Sequence, residues 1–216
     1  MLSPAERRRR NRAEMTEGIL QAAREIMRER GVAALSLNEV ARRVGVKPPS
    51  LYEYFPGKAA LYDALFRLGL RLYAEHNDRA REAAPPGWER LRVEIETYMS
   101  FAQHYPELWA LVFERPVPGF VPSEQSMDES RALLAVASRA MEEAMEKGEI
   151  VPDVSVDQAR DFVIALMHGL AASHMANQPD LPIGSGRFGS LIPLAMQVLE
   201  MAWSPPQTVE TQEGVS

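Results

Sequence analysis

The sequence predicts an all-α fold. Apolar residues recur at steps of three and four along most of the chain, and no useful stretch alternates apolar with polar. Glycines, prolines and capping residues interrupt the pattern at helix-length intervals. Residues 1–11 are polar and arginine-rich and read as a disordered basic tail. Over residues 13–30, Met15, Ile19, Ala22, Ala23, Ile26 and Met27 form one stripe, which Gly31 stops. Ser36, with Glu39 three residues on, has the pattern of a capping box and opens a short helix to about Val44. Gly45 ends it. Pro48 and Pro49 are tolerated only in the first turn of a helix, so a new one starts there and runs to about Phe55. A long helix follows from near Pro56 to about Glu82, with Leu61, Leu65, Leu68 and Leu72 on one face.

Ala84-Pro85-Pro86-Gly87 is a break between elements. Helical patterns then cover residues 88–104 and 106–113, before a proline-rich loop over 115–122. Ser123 opens a long helix that ends at Lys147-Gly148, and Asp153 or Ser155 opens another to about Ala176. The last helix spans about 188–203 and is expected to kink at Pro193. Residues 204–216, with Pro205-Pro206, read as a second disordered tail.

Composition bounds the function. The 216 residues are 46% hydrophobic and 25% charged, the balance of an ordinary globular protein with enough chain for a substantial core. With no cysteine there is no disulfide, thiolate metal site or thiol nucleophile. No apolar run approaches the roughly 20 residues that cross a bilayer. Arg7 to Arg10 do not lead into a secretory segment, so a cytoplasmic location is expected. The net charge of −6 is unevenly spread: about +5 up to Lys58 and about −11 beyond it. A basic amino-terminal quarter on an acidic body points to a polyanion-binding module joined to a second module.

Residues 35–55 carry the functional signal. Two short helices joined by a tight turn at Gly45 make a helix-turn-helix, whose second helix is narrow enough for a major groove. Val40, Ala41, Val44, Val46 and Leu51 are placed to pack the pair together. The opposite face then presents Lys47, Pro48, Pro49, Ser50, Tyr52 and Tyr54, with Ser36 grouped among the DNA contacts. Tyrosine hydroxyls and the Lys47 ammonium suit phosphate oxygens, and the rings and proline methylenes suit a thymine methyl. Lys58, in the first turn of the next helix, is placed to reach a phosphate.

The stretches Ala41-Arg-Arg-Val-Gly-Val and Ser50-Leu-Tyr-Glu-Tyr-Phe-Pro-Gly-Lys-Ala-Ala-Leu61 resemble the signature of TetR-type transcription regulators. The resemblance covers about residues 15–65. It implies a three-helix DNA-binding domain over 12–57 and a larger helical effector-binding and dimerisation domain over 58–203. By resemblance Tyr52 and Lys58 match phosphate-contacting positions, and residues 47–50 with Tyr54 fall on the recognition helix. Lys47 departs from the Ser or Thr cap common at that position, and Glu53 places a carboxylate near DNA.

Past Ala84 the resemblance is looser. It is carried by the helix pattern and by Leu166-Met-His-Gly-Leu-Ala-Ala, similar to a Trp-His-Gly element of one subgroup with Met167 for Trp. It implies a pocket for a small apolar effector, with Tyr98, Phe101, Trp109, Phe113, Met127, Phe162, Met167 and His168 as candidate lining. Spacing alone favours an ordinary core. By resemblance, Gly169, Ala172 and Ala176 with Leu191, Leu194, Ala195, Val198 and Leu199 lie on two helices that pair with a second subunit as a four-helix bundle. His104, His168 and His174 lack carboxylates at metal-ligand spacing. No cofactor loop or nucleophile motif occurs, so neither metal, cofactor nor enzymatic activity is expected. The expected function is a homodimeric repressor released from a palindromic operator by the effector. The alternative is a DNA-binding regulator whose body binds a protein, with the loop over 115–122 as its contact.

Overall fold

The computed structural model describes residues 3–205, and among them it is helical with no strand. The helices are α1 (Pro4–Arg30), α2 (Leu37–Arg43), α3 (Pro48–Tyr52), α4 (Lys58–Ala83) and α5 (Trp88–His104). They continue with α6 (Pro106–Trp109), α7 (Glu124–Glu146), α8 (Val156–Asn177), α9 (Gly186–Gly189) and α10 (Ile192–Trp203). A 3₁₀ turn, Val32–Ala34, follows α1, and a wide turn of π-helix, Ala110–Glu114, extends α6.

Two local expectations are corrected. Residues 4–11 are not a disordered tail but the first turns of α1. Ser3 accepts from the Glu6 N–H at 3.2 Å, the Glu6 carboxylate accepts from the Ser3 N–H at 2.7 Å, and Pro4 takes the first helical position. At the other end, α9 and α10 are separate helices rather than one kinked helix. Pro193 sits in the first turn of α10, where its missing N–H costs nothing, so it starts a helix instead of bending one. The expected tail over 204–216 lies, apart from residues 204 and 205, outside the described residues.

Among the described residues the chain forms two compact units, residues 3–76 with 100–133 and residues 77–99 with 134–205. α4, α5 and α7 each contribute to both units.

In the first unit α1 packs on α2 and α6, and α2 packs on α3. Ile19, Ala23, Ile26, Met27, Val40, Ala41, Leu51, Leu61 and Leu65 are buried. At about 25 cal/mol per Å² of apolar surface, each such Leu or Ile contributes about 1.5–3 kcal/mol. The ties that bring α4 and α6 into this unit are specific. Asp63 on α4 accepts from the Ser123 N–H and the Ser126 hydroxyl at 2.7 and 2.8 Å. Tyr73 lies against Phe101 and edge-on to Phe113, with centroids 5.4 and 5.5 Å away. Gly69 lets the backbone of α4 come close, because a Cβ there would stand 2.7 Å from Val112 Cγ2. Glu107 is buried and held by Arg24 and Arg28 of α1.

In the second unit the Tyr98 hydroxyl and His168 Nδ1 share a hydrogen bond of 2.9 Å. Arg81 donates to the Val136 carbonyl at 3.2 Å and pairs with Glu94. α8 begins with a capping box between Ser155 and Gln158, so of the two caps the sequence offers, Asp153 and Ser155, the second is used. The Val151 N–H donates to the Trp203 carbonyl at 2.7 Å, which fixes the end of α10.

Candidate nucleic-acid interface

The helix-turn-helix forms where the sequence places it. α2 ends at Arg43, and Gly45 takes φ +74°, a left-handed conformation that side-chain-bearing residues resist. This reversal lets the Val46 N–H return to the Ala41 carbonyl at 3.0 Å. The expected packing residues Val40, Ala41 and Leu51 are fully buried, whereas Val44 and Val46 are half-buried.

α3 is shorter than expected, spanning five residues with no side-chain cap at Lys47. The missing cap costs little because Pro48 and Pro49 have no N–H to satisfy, and the Ser50 N–H donates to the Lys47 carbonyl at 3.0 Å. Beyond Tyr52 the chain turns rather than continuing the helix, and the Tyr54 and Phe55 N–H groups both donate to the Leu51 carbonyl at 3.0 Å.

The predicted contact residues separate by exposure. Lys47, Pro48 and Pro49 are exposed, Tyr52 is 50% exposed, and Ser50 is half-buried. Ser36 is exposed, but its hydroxyl makes no cap bond and the expected box with Glu39 does not form. Glu39 is drawn instead to Arg42 at 2.7 Å, with Arg43 and Arg30 at 3.4 and 3.8 Å. Tyr54 is half-buried beneath the Arg12 guanidinium, 4.9 Å from its ring centroid. The Lys58 ammonium donates to the Ala33 carbonyl at 3.1 Å and lies 5.4 Å over the Tyr62 ring. Tyr62 in turn donates to the Val32 carbonyl at 2.6 Å, so both residues hold the turn before α2 in place.

Sequence reasoning missed Arg12. Its guanidinium donates to the Glu53 carbonyl at 3.0 Å as well as covering Tyr54, which fixes α1 to the end of the recognition helix. The signal available was its position at the end of a basic run. Glu53 presents an exposed side chain at this end.

The hydrogen bond from Arg42, followed by attraction to Arg42, Arg43 and Arg30, holds the Glu39 carboxyl down at about 2, against an ordinary 4.5. A depressed carboxylate stabilises the fold above its unfolded pKa and loses that contribution as pH falls towards the folded value. Glu39→Gln is therefore expected to melt below wild type at pH 5. The gap in Tm should close between about pH 4.5 and 2. Thermal melts across that range check this; a gap independent of pH contradicts it.

The predicted effector residues do not fall in one unit. Phe101 and Trp109 are buried and Phe113 and Met127 half-buried in the first, while Tyr98 and Met167 are buried and His168 half-buried in the second. Phe162, expected to face inward, is 56% exposed on α8 and tilts against Trp203 at 5.7 Å. No group of His, Asp and Glu among the described residues is arranged to hold a metal, and no described helix is long and apolar enough to cross a membrane.

Comparison with known proteins matches residues 19–65 to the bacterial regulatory proteins of the tetR family, and residues 91–187 to the tetracyclin repressor-like C-terminal domain. The chain is 32% identical over 96 residues to the HTH-type transcriptional activator FasR of Mycolicibacterium smegmatis, a match spanning 44% of each chain. It is 27% identical over 158 residues to the HTH-type transcriptional regulator UidR of Escherichia coli, covering 71% of this chain and 78% of UidR. The fold is also that of the transcriptional regulator FadR from Bacillus subtilis in complex with stearoyl-CoA. That structure has a TM-score of 0.69 and 18% identity over 85% of this chain and 96% of FadR. The helix-turn-helix lies wholly within the first match, and the two matches together span most of the chain; the chain belongs to the TetR family of DNA-binding transcriptional regulators.

Proposed function

We propose that the protein is a homodimeric repressor of a pseudo-palindromic operator, released by a small apolar effector. The observation that carries the DNA-reading part is α3 itself. Leu51 anchors it in the core while Lys47, Pro48, Pro49 and Tyr52 stand outward. Support for the dimer is an apolar face of the second unit: Phe162, Leu194, Val198 and Met201 are all more than half exposed on α8 and α10. A soluble chain rarely leaves such a face uncovered. Phe162 thus belongs with the subunit contact rather than the effector.

The effector reading rests on buried aromatic surface in each unit and on one polar handle, the Tyr98–His168 pair. In the second unit Met167 is the apolar contact proposed with it, and Phe101, Trp109, Phe113 and Met127 are the apolar contacts proposed in the first. The FadR relative, described with stearoyl-CoA, supports an effector with a long apolar part. Ligand acts by favouring a conformation whose two recognition helices no longer match the groove spacing.

Selection of bound duplexes from random DNA tests the reading. An inverted repeat is expected, with half-sites about 34–36 Å apart, one helical turn or a multiple of it. Recovery of no enriched repeat contradicts it. Native mass spectrometry tests the effector: a co-purifying apolar compound that lowers operator affinity on addition is expected. An empty body whose DNA binding no apolar compound alters contradicts that part.

A further inference from the structure

Much of the basic charge of the amino-terminal quarter is spent within the fold. Arg24 and Arg28 pair with Glu107, Arg30 and Arg42 with Glu39, and Arg43 with Glu29 and Glu39. Arg10 pairs with Glu14, and Lys58 is held by the Ala33 carbonyl. Arg7, Arg8 and Arg9 stand exposed with no ion pair among the described residues. They lie in a helix, not a loose tail, so their directions are fixed.

Residues 4–14 of α1 are all exposed, a rod of about 16 Å at 1.5 Å per residue that buries nothing of its own. Its register is set by Arg12, whose guanidinium is bonded to the Glu53 carbonyl and stacked on Tyr54 at the end of the recognition helix. At 3.6 residues per turn, Arg8 lies one turn before Arg12 on the same face, and Arg9 roughly 60° away. Arg9 and Arg12 also line one open groove between α1 and α4. Arg7 and Arg10 point to the far side of the helix, roughly 140–160° from Arg12. Stacked cations at three- and four-residue spacing repel one another. A row of phosphates removes that repulsion and a neutral or cationic surface does not.

We propose that Arg8 and Arg9, aligned by Arg12 beside the end of α3, form a helical arm that grips DNA phosphates flanking the bases read by α3. This inference rests on the DNA-reading role of α3 and extends the contact to backbone outside the half-site. The guanidinium forks suit phosphate oxygens, and such contacts add affinity and position without base preference.

The test uses the full chain and the selected operator, with salt titration of binding. Each phosphate contact contributes about 0.9 to the slope of log K against log salt. Arg8→Ala/Arg9→Ala is expected to reduce the slope by about 3 to 4 for a dimer with two contacts per arm. It should weaken operator and unrelated duplex alike and leave the selected base sequence unchanged. Arg7→Ala/Arg10→Ala removes equal charge from the other face and is expected to change the slope by less than about 1. Operator binding with an unchanged slope in Arg8→Ala/Arg9→Ala overturns the arm and leaves the role of α3 standing. Equal losses from the two double variants overturn the placed contact. A wild-type chain that selects no operator overturns both readings.

Discussion

Leu51→Ala is expected to destabilise the protein by about 2–5 kcal/mol and to weaken operator binding by at least about tenfold under conditions where the variant remains folded. Leu51 is 1% exposed and is the side chain that α3 buries. A five-residue helix has too few internal hydrogen bonds to persist alone, so α3 holds its shape through tertiary packing. The Leu51 carbonyl also accepts from Tyr54 and Phe55, so this residue organises the exit from the helix. Removing three carbons leaves a cavity under α3, in a core where Val40 and Ala41 are also fully buried. Denaturant midpoints and operator titrations at low temperature check the two effects. A loss below about 1 kcal/mol, or operator binding at wild-type strength, contradicts the anchoring role.

Glu107→Ala is expected to cost about 3 kcal/mol, and so to lower Tm by about 6–12 °C in a chain of this size. Its side chain is fully shielded from water and is shared by two arginines of α1. Arg24 Nε donates to one carboxylate oxygen at 2.9 Å, while Arg28 Nε and Nη2 donate to the other at 3.1 and 2.9 Å. Breaking a buried ion pair typically costs about 3–5 kcal/mol. The lower end applies because Arg28 is half exposed and regains water, whereas Arg24 is not. Glu107→Gln keeps the shape and one acceptor oxygen, so a smaller loss of about 1–2 kcal/mol is expected. Because both arginines lie on α1, which packs on α2, the alanine variant should also weaken DNA binding. Equal stability of wild type and Glu107→Ala contradicts a stabilising role for the buried carboxylate.

What could be read from the sequence depended on the range of the interaction. α5 spans Trp88–His104 as the pattern indicates, and Ser155 with Gln158 caps α8, because these features are settled within one turn. Gly45, Leu51 and the Pro48-Pro49 start were legible for the same reason. Ser36 and Glu39 have the right spacing yet form no box, because Arg42 and Arg43 offer that carboxylate charged donors. The start of α1 was legible in Ser3, Pro4 and Glu6, but the four arginines that follow carry the composition of a tail.

Long-range facts left no local trace. Glu107 finds partners about 80 residues earlier in the chain, and nothing near it in sequence marks it as buried. The same holds for Asp63 with Ser123 and Ser126, which pull residues 100–133 into the amino-terminal unit. Periodicity puts Phe162 on an apolar face but cannot tell a face turned to the core from one left for another subunit.

In the proposed complex α3 reads base edges from the major groove. Methylation interference at guanine N7 tests it most directly, because N7 lies in that groove and is blocked without touching the minor groove. Interference is expected in two symmetric clusters about one helical turn apart on the selected operator. In Tyr52→Ala, affinity should fall while both clusters persist, and in Leu51→Ala the clusters should fade. Interference absent from guanines in both half-sites, with operator affinity intact, would contradict it.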